Sequence, residues 1–425
     1  MLLRKRLIRG VSSSLLSSGT TQVMGMLASI FCARILDPEG FGALNMVRTT
    51  VLMFGVFAGT GLGIVAVKFV AEYRDADLKK TAQHISFLLT VSILASFFVT
   101  VLCLLISKFV AINILGEINL ERPLQIGSLM LLFSSLSGVQ IGILSGFERY
   151  YSVALLTILD AIIGFIAIAF GAKFWGLEGA IAGSVIALFI TTPFKIYILS
   201  GVCKNLGIAL NFQISIKGIR ELVIFIFPAI AVGLCAQPFD WLARIILTNS
   251  DNGYIQLGLF SMAVTWSQIV IFVPGQIAAP TQAILPNLVG NGEWRKVSNV
   301  IKHAGLIIIG TSLVVTIALW IFSSNITKLY GEQYSSASST ITLLCFSSVF
   351  CAASMITKNY LFAKNKVWVV VNSHLLMGVI LCGLGYALKG YGADGLAIAY
   401  LLGWASLFVF QAVFTRQELR KKLVI

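Results

Sequence analysis

Long apolar runs recur along the chain, separated by short polar stretches. A membrane-spanning helix needs about 20 mostly apolar residues. Twelve stretches qualify: 11–36, 41–67, 84–107, 123–147, 151–172, 177–199, 219–247, 257–288, 304–327, 337–363, 367–388 and 394–414. In lipid every backbone polar group must be bonded internally, so these runs are read as helices. The connections are short and no soluble domain fits between them, so the activity must lie within the helical bundle. The expected fold class is all-α: a polytopic membrane protein of about 12 transmembrane helices in two six-helix parallel repeats.

The repeat is read from local matches. Trp175-Gly176-Leu177-Glu178-Gly179 and Tyr391-Gly392-Ala393-Asp394-Gly395 are both aromatic-Gly-x-acid-Gly before an apolar run, with 216 residues between their first glycines. Leu115-Gly116-Glu117 and Tyr330-Gly331-Glu332 lie 215 apart, and Ala33-Arg34-Ile35 and Ala243-Arg244-Ile245 lie 210 apart. Six spans per half is an even number, so both halves start on the same side. Parallel repeats of this kind are related by an axis along the membrane normal. The expected division is an N-terminal lobe at 1–205, a cytoplasmic linker at 206–218 and a C-terminal lobe at 219–425.

Composition agrees. Of the 425 residues 58% are hydrophobic and only 11% charged, with a mean hydropathy of +0.93. Ordinary soluble proteins carry about 25% charged residues. A soluble globule, a disordered chain, a disulfide scaffold and a nucleic-acid-binding domain are excluded. The net charge of +14 is read as the lysine and arginine excess of cytoplasmic loops. With the N-terminus inside, 23 of the 31 basic residues, Lys195 among them, fall on the cytoplasmic side. Seven fall outside or at that edge, and Arg48 lies within a span. Both termini are therefore expected in the cytoplasm of a multi-pass cell-membrane protein. The N-terminal Arg4, Lys5, Arg6 and Arg9 resemble the start of a signal peptide, but Ser12 to Ser18 are serine-rich and no cleavage site follows. That segment is read as an uncleaved first helix.

Seven cysteines and three scattered histidines form no metal-ligand spacing, so no metal site is expected. Motifs of serine hydrolases, zinc proteases and phosphate-binding loops are absent, and the chain is read as not an enzyme.

A charge at the bilayer centre costs about 2.5–3.5 kcal/mol or more, so each one needs a partner or a wet cavity. Arg48 lies in span 2 beside Asn45. It either holds a phosphate in a polar lumen, or snorkels outward or pairs with Asp37 or Glu39. Arg34 ends span 1 before the same acids. Arg244 is read as its equivalent in the second half, with Asp240 one turn earlier on the same helical face. Their pair is either a local ion pair or one that opens during transport. Asp160 is central in span 5 with no basic sequence neighbour. It suits a proton site, a Na⁺ ligand or a partner for Arg48. Prolines 228 and 238 in span 7, and 274, 280 and 286 in span 8, predict bends. Gln140, Gln237 and other amides suit either sugar hydroxyls or hydrogen bonds between helices.

Several of these segments carry a resemblance. They are Ala33-Arg34-Ile35-Leu36 through Gly40-Phe41-Gly42, Ile143-Leu144-Ser145-Gly146-Phe147-Glu148-Arg149-Tyr150, and the Trp175-Gly176 turn. In the second half they are Phe227-Pro228, Leu257-Gly258-Leu259-Phe260 and Ile284-Leu285-Pro286. The chain resembles the Wzx-type flippases, the polysaccharide-export branch of the multidrug/oligosaccharidyl-lipid/polysaccharide (MOP) exporter superfamily, over nearly its whole length. It departs from the superfamily's lipid II flippases, which carry fourteen spans.

The resemblance implies a MATE-like fold of two six-helix lobes around a cavity. It implies flipping of a polyprenyl-pyrophosphate-linked oligosaccharide, such as an O-antigen repeat unit, by alternating access. The H⁺ or Na⁺ gradient would drive it, without a cofactor. It implies cationic residues lining the cavity, and Arg48, Arg34 and Arg244 match that placement; Asn45, Gln140 and Gln237 are read as further cavity residues, with Asp160 and Asp240 coupling the ion. The implied partners are the lipid-linked oligosaccharide, membrane lipids, and a polysaccharide polymerase with chain-length machinery, around a monomer. A cation-coupled multidrug exporter is the alternative.

Overall fold

A computed structural model describes residues 2–59, 61–208 and 219–423, with side chains for 15–59, 61–208 and 233–422. These residues form helices α1 (Leu2–Gly55), α2 (Leu62–Tyr73), α3 (Leu78–Phe109), α4 (Glu121–Gly146), α5 (Tyr150–Asn205), α6 (Ile219–Thr248) and α7 (Gly253–Ala278). They continue with α8 (Thr281–Gly290), α9 (Trp294–Ile321), α10 (Ser323–Tyr330), α11 (Ser338–Ala363), α12 (Val367–Ala387) and α13 (Gly392–Leu423). No strand occurs among them. Nine helical stretches of the described residues are long and apolar enough to cross a membrane. Two of these are double spans. α1 contains a break at Asp37, and α5 is interrupted at Trp175 and Gly176. Split there, and with α6 added, they give the twelve spans expected. Outward faces stay apolar, as lipid requires: Leu94, Phe98 and Leu105 on α3, Leu306 and Val314 on α9.

The chain divides into two compact units, one of residues 1–36 and 43–237, the other of 37–42 and 238–425. Of the linker expected at 206–218, residues 209–218 lie outside the described residues.

The backbone carries the repeat more clearly than the sequence does. Asp37 and Asn252 (φ 55° and 52°) are 215 residues apart, Glu148 and Asn365 (56° and 54°) 217, and Gly176 and Gly392 (both 57°) 216. The last two also share ψ, at −136° and −132°. That region is closed to any residue with a Cβ, which explains the glycine in both aromatic-Gly turns. The third sequence match does not fit this register. Arg34 lies three residues before the Asp37 break, whereas Arg244 lies eight before Asn252. Arg34 is exposed and Arg244 buried, so the two arginines are not equivalent.

The second span of each half is broken. The stretch expected as one helix over 41–67 ends at Gly55 and restarts at Leu62; its counterpart pauses between Ala278 and Thr281. In each case a polar side chain from a neighbouring helix meets a carbonyl at the break. Ser135 Oγ donates to the Ala58 carbonyl at 2.7 Å, and Asn359 Nδ2 to that of Ala278 at 3.1 Å and to Thr281 Oγ1 at 2.9 Å. A broken helix survives in a bilayer only where such partners exist.

Gly146-Phe147-Glu148 is held from the end of α2. Arg74 donates to the Gly146 carbonyl at 2.7 Å and pairs with Glu148 at 2.5 Å. Glu148 raises the Arg74 pKa above its ordinary value.

Candidate functional site

Each unit holds a polar site within its spans. In the first, Ser184, Thr191 and Lys195 share one face of the second half of α5, spaced seven and four residues apart. The Lys195 side chain is wholly buried. Its ammonium meets Asp160 Oδ2 at 2.7 Å, Ser137 Oγ at 2.5 Å and Thr191 Oγ1 at 3.5 Å. Lysine has three N–H donors, and three oxygens receive them. This corrects two expectations. Lys195 is not a solvated cytoplasmic charge, and Asp160 pairs with it rather than with Arg48. The spacing of Ser184, Thr191 and Lys195 was the available signal. Its place near the end of a span, just after Pro193, gives Lys195 the pattern of a cytoplasmic edge charge.

Asp160 keeps 29% of its side chain exposed, and its Oδ1 is buried without a hydrogen-bond partner. Gln140 is one turn from Ser137 on α4, 1% exposed, and its Oε1 also lacks a partner. It is a core amide of the first unit.

Arg48 is half-buried and donates to Ser184 Oγ at 3.2 Å. Among the described residues no carboxylate lies within ion-pair distance of it. Ser184 precedes Lys195 by three turns, so Arg48 sits roughly 16 Å along α5 from the Asp160 pair. Asn45, one turn before Arg48, is half-buried, and its carbonyl accepts from Thr49 Oγ1 at 2.6 Å.

In the second unit Asp240 and Arg244 form the i,i+4 pair expected, with Nε to Oδ2 at 3.0 Å. Tyr400, which sequence reasoning missed, donates a short hydrogen bond to Asp240 Oδ1. The Arg244 guanidinium stands 5.5 Å from the Phe260 ring centroid, and that ring lies 5.2 Å from Tyr400. Arg244 is 9% exposed and Asp240 30%. In both units, then, the acid is the more accessible partner and the cation sits behind it. Gln237 on α6 is exposed, as is Arg34 on α1.

Other amides link helices. Gln411 is fully buried, donates to Ser373 at 2.8 Å and accepts from Thr357 at 2.9 Å, so α13, α12 and α11 are tied at one point. No group of three metal-ligating residues occurs among the described residues.

Residues 7–291 match the family described as "Polysaccharide biosynthesis protein". The chain belongs to that family. Over 97% of its length it is 22% identical to the EPS I polysaccharide export inner membrane protein EpsE of Ralstonia nicotianae, covering 93% of that protein. The EpsE protein of Ralstonia solanacearum matches at the same identity over 96% of this chain and 92% of its own.

Among solved structures, the fold is shared with an inward-facing multidrug resistance MATE family transporter of the MOP superfamily. The TM-score is 0.80 and the identity 15%, with 94% of this chain and 95% of the other covered. A MOP superfamily transporter from Pyrococcus furiosus, described as having a binding pocket of reverse polarity, matches with a TM-score of 0.73 at 15% identity. It covers 98% of this chain, which covers 96% of it. The resemblance to the Wzx-type flippases holds, and the fold is MATE-like. This is a multi-pass membrane protein whose relatives are export proteins and transporters, not enzymes.

Proposed function

We propose that this protein flips a polyprenyl-pyrophosphate-linked oligosaccharide across the cytoplasmic membrane by ion-coupled alternating access, with both termini in the cytoplasm. Membership of a polysaccharide biosynthesis family and the export relatives support the substrate class. The observation that carries the reading is Arg48. Guanidinium has five donors and a permanent charge, and suits phosphate oxygens. Ser184 occupies one donor and neutralises nothing. Arg48 thus keeps its charge for an anion at membrane depth, whereas Lys195 and Arg244 are each already paired with an acid.

Arg48→Ala is expected to lower surface-polysaccharide export at least about tenfold, the equivalent of ~1.4 kcal/mol of lost binding. Protein levels in the membrane should stay normal. Arg48→Lys should retain part of the activity, because it keeps the charge but not the planar fork. Export at the wild-type rate in Arg48→Ala removes Arg48 from the substrate site.

The multidrug-exporter reading draws on a different observation: Asp160 and Asp240 are the accessible members of their pairs. Accessible acids suit cationic drugs. Measuring drug accumulation and polysaccharide export side by side in a deletion strain separates the two.

A further inference from the structure

The first unit contains an arrangement that the flippase reading leaves unused. A carboxylate oxygen and two hydroxyl oxygens converge on one point among α4 and the two halves of α5, at 2.7, 2.5 and 3.5 Å from what fills it. Hard cations without directional bonding take oxygen sets of this kind. What fills it is the ammonium of Lys195, tethered to the wall and without solvent exposure.

The surrounding charges do not alter this. α4 carries no charged side chain between Arg122 and Glu148. Besides the pair, α5 carries Lys173 and Glu178 around its interruption and Lys204 near its end. Arg48 of α1 is three turns away on Ser184. Within the site Asp160 is therefore the acid and Lys195 the base. Asp160 Oδ1 is a buried acceptor with no donor supplied, which leaves a place for a proton.

We propose that Lys195 is a built-in counter-ion occupying the cation position of Asp160, so that this site exchanges protons and rejects Na⁺. A sodium ion would have to displace an ammonium that cannot leave, and would meet its charge at contact distance. A proton is opposed by the same charge, but it binds a single oxygen and needs no vacant cation position. It adds to the free oxygen of Asp160, cancels the carboxylate charge and releases Lys195 from its Coulombic hold. When the proton departs to water, the pair re-forms. The inference rests on the ion-coupled reading above and names the ion.

The test uses the full-length protein purified in detergent, with radioactive sodium as the probe in a scintillation-proximity assay near neutral pH. Wild type is expected to give no more signal than Asp160→Asn. Lys195→Met removes the ammonium and leaves the oxygens. It is expected to gain a saturable Na⁺ signal several-fold above background, and Lys195→Met combined with Asp160→Asn to lose it. Sodium binding by wild type that disappears in Asp160→Asn overturns the proposal. So does a monodisperse Lys195→Met protein without the gain.

If Lys195→Met does not fold, export by wild-type cells with choline replacing sodium decides. Undiminished export supports the proposal, and loss of export confined to the sodium-free medium overturns it. Sodium binding involves no oligosaccharide, so failure of the flippase reading shows separately, as no export in either medium.

Discussion

Gly258→Val is expected to leave almost no folded protein in the membrane. The second unit brings α7 against the α1 segment 37–42 at backbone contact. A Cβ on Gly258 would stand 2.0 Å from the Pro38 carbonyl oxygen, and one on Gly42 would stand 1.9 Å from that of Tyr254. Both obstacles are backbone, so no rotamer change relieves them. Overpacking a core usually costs about 1–3 kcal/mol. Here two helices must separate, which puts the cost at or above about 3 kcal/mol. Helices in lipid gain no hydrophobic drive toward one another and depend on such close approach. Fluorescence-detected size exclusion of a tagged protein measures the outcome. Gly310→Ala is the control, because nothing lies within 4 Å of the added methyl. A monodisperse wild-type-like peak for Gly258→Val would contradict the packing described.

The second large effect belongs to Asp160. Asp160→Asn strands the buried Lys195 ammonium against two hydroxyls. Breaking one side of a buried ion pair typically costs about 3–5 kcal/mol, and the partial exposure of Asp160 places this case near 3. Lys195→Met is expected to cost less, since the acid left behind still reaches solvent with 29% of its side chain. The double variant should recover most of the loss, because neutral groups of similar volume carry a much smaller desolvation penalty than an unpaired charge. Thermal unfolding of the four proteins forms a double-mutant cycle. Losses that simply add would mean that the two residues do not interact.

These two cases show how legibility varied along the chain. Gly42 and Gly258 stood in the sequence as parts of short motifs, with nothing to say that the two segments touch. The structure gives them a physical role as facing points of one helix crossing. The 215–217-residue repeat was visible at two turns because a positive φ demanded glycine there. At Asp37 and Asn252 the same backbone state is held by other residue types, so the repeat was silent and a chance match at Ala33-Arg34-Ile35 took its place. The bends of span 8 announced themselves through proline. The break in span 2, among Gly55, Gly59 and Gly61, did not. Asp240 and Arg244 were readable as a pair because one helical turn joins them. Tyr400 was not, being 160 residues away.

The sequence by itself determined that this chain lives in a membrane, with about twelve spans in two repeated halves and within the polysaccharide-export family. The physical reason is that lipid solubility is additive along the chain: twenty apolar residues make a span whatever they later touch. Which charges remain free was decided only by tertiary structure. Ion pairing acts over about 3 Å, between side chains 35 residues apart in Asp160 and Lys195, and no local pattern records that distance. Among the described residues, the fold neutralises Lys195 and Arg244 with acids and leaves Arg48 on a hydroxyl.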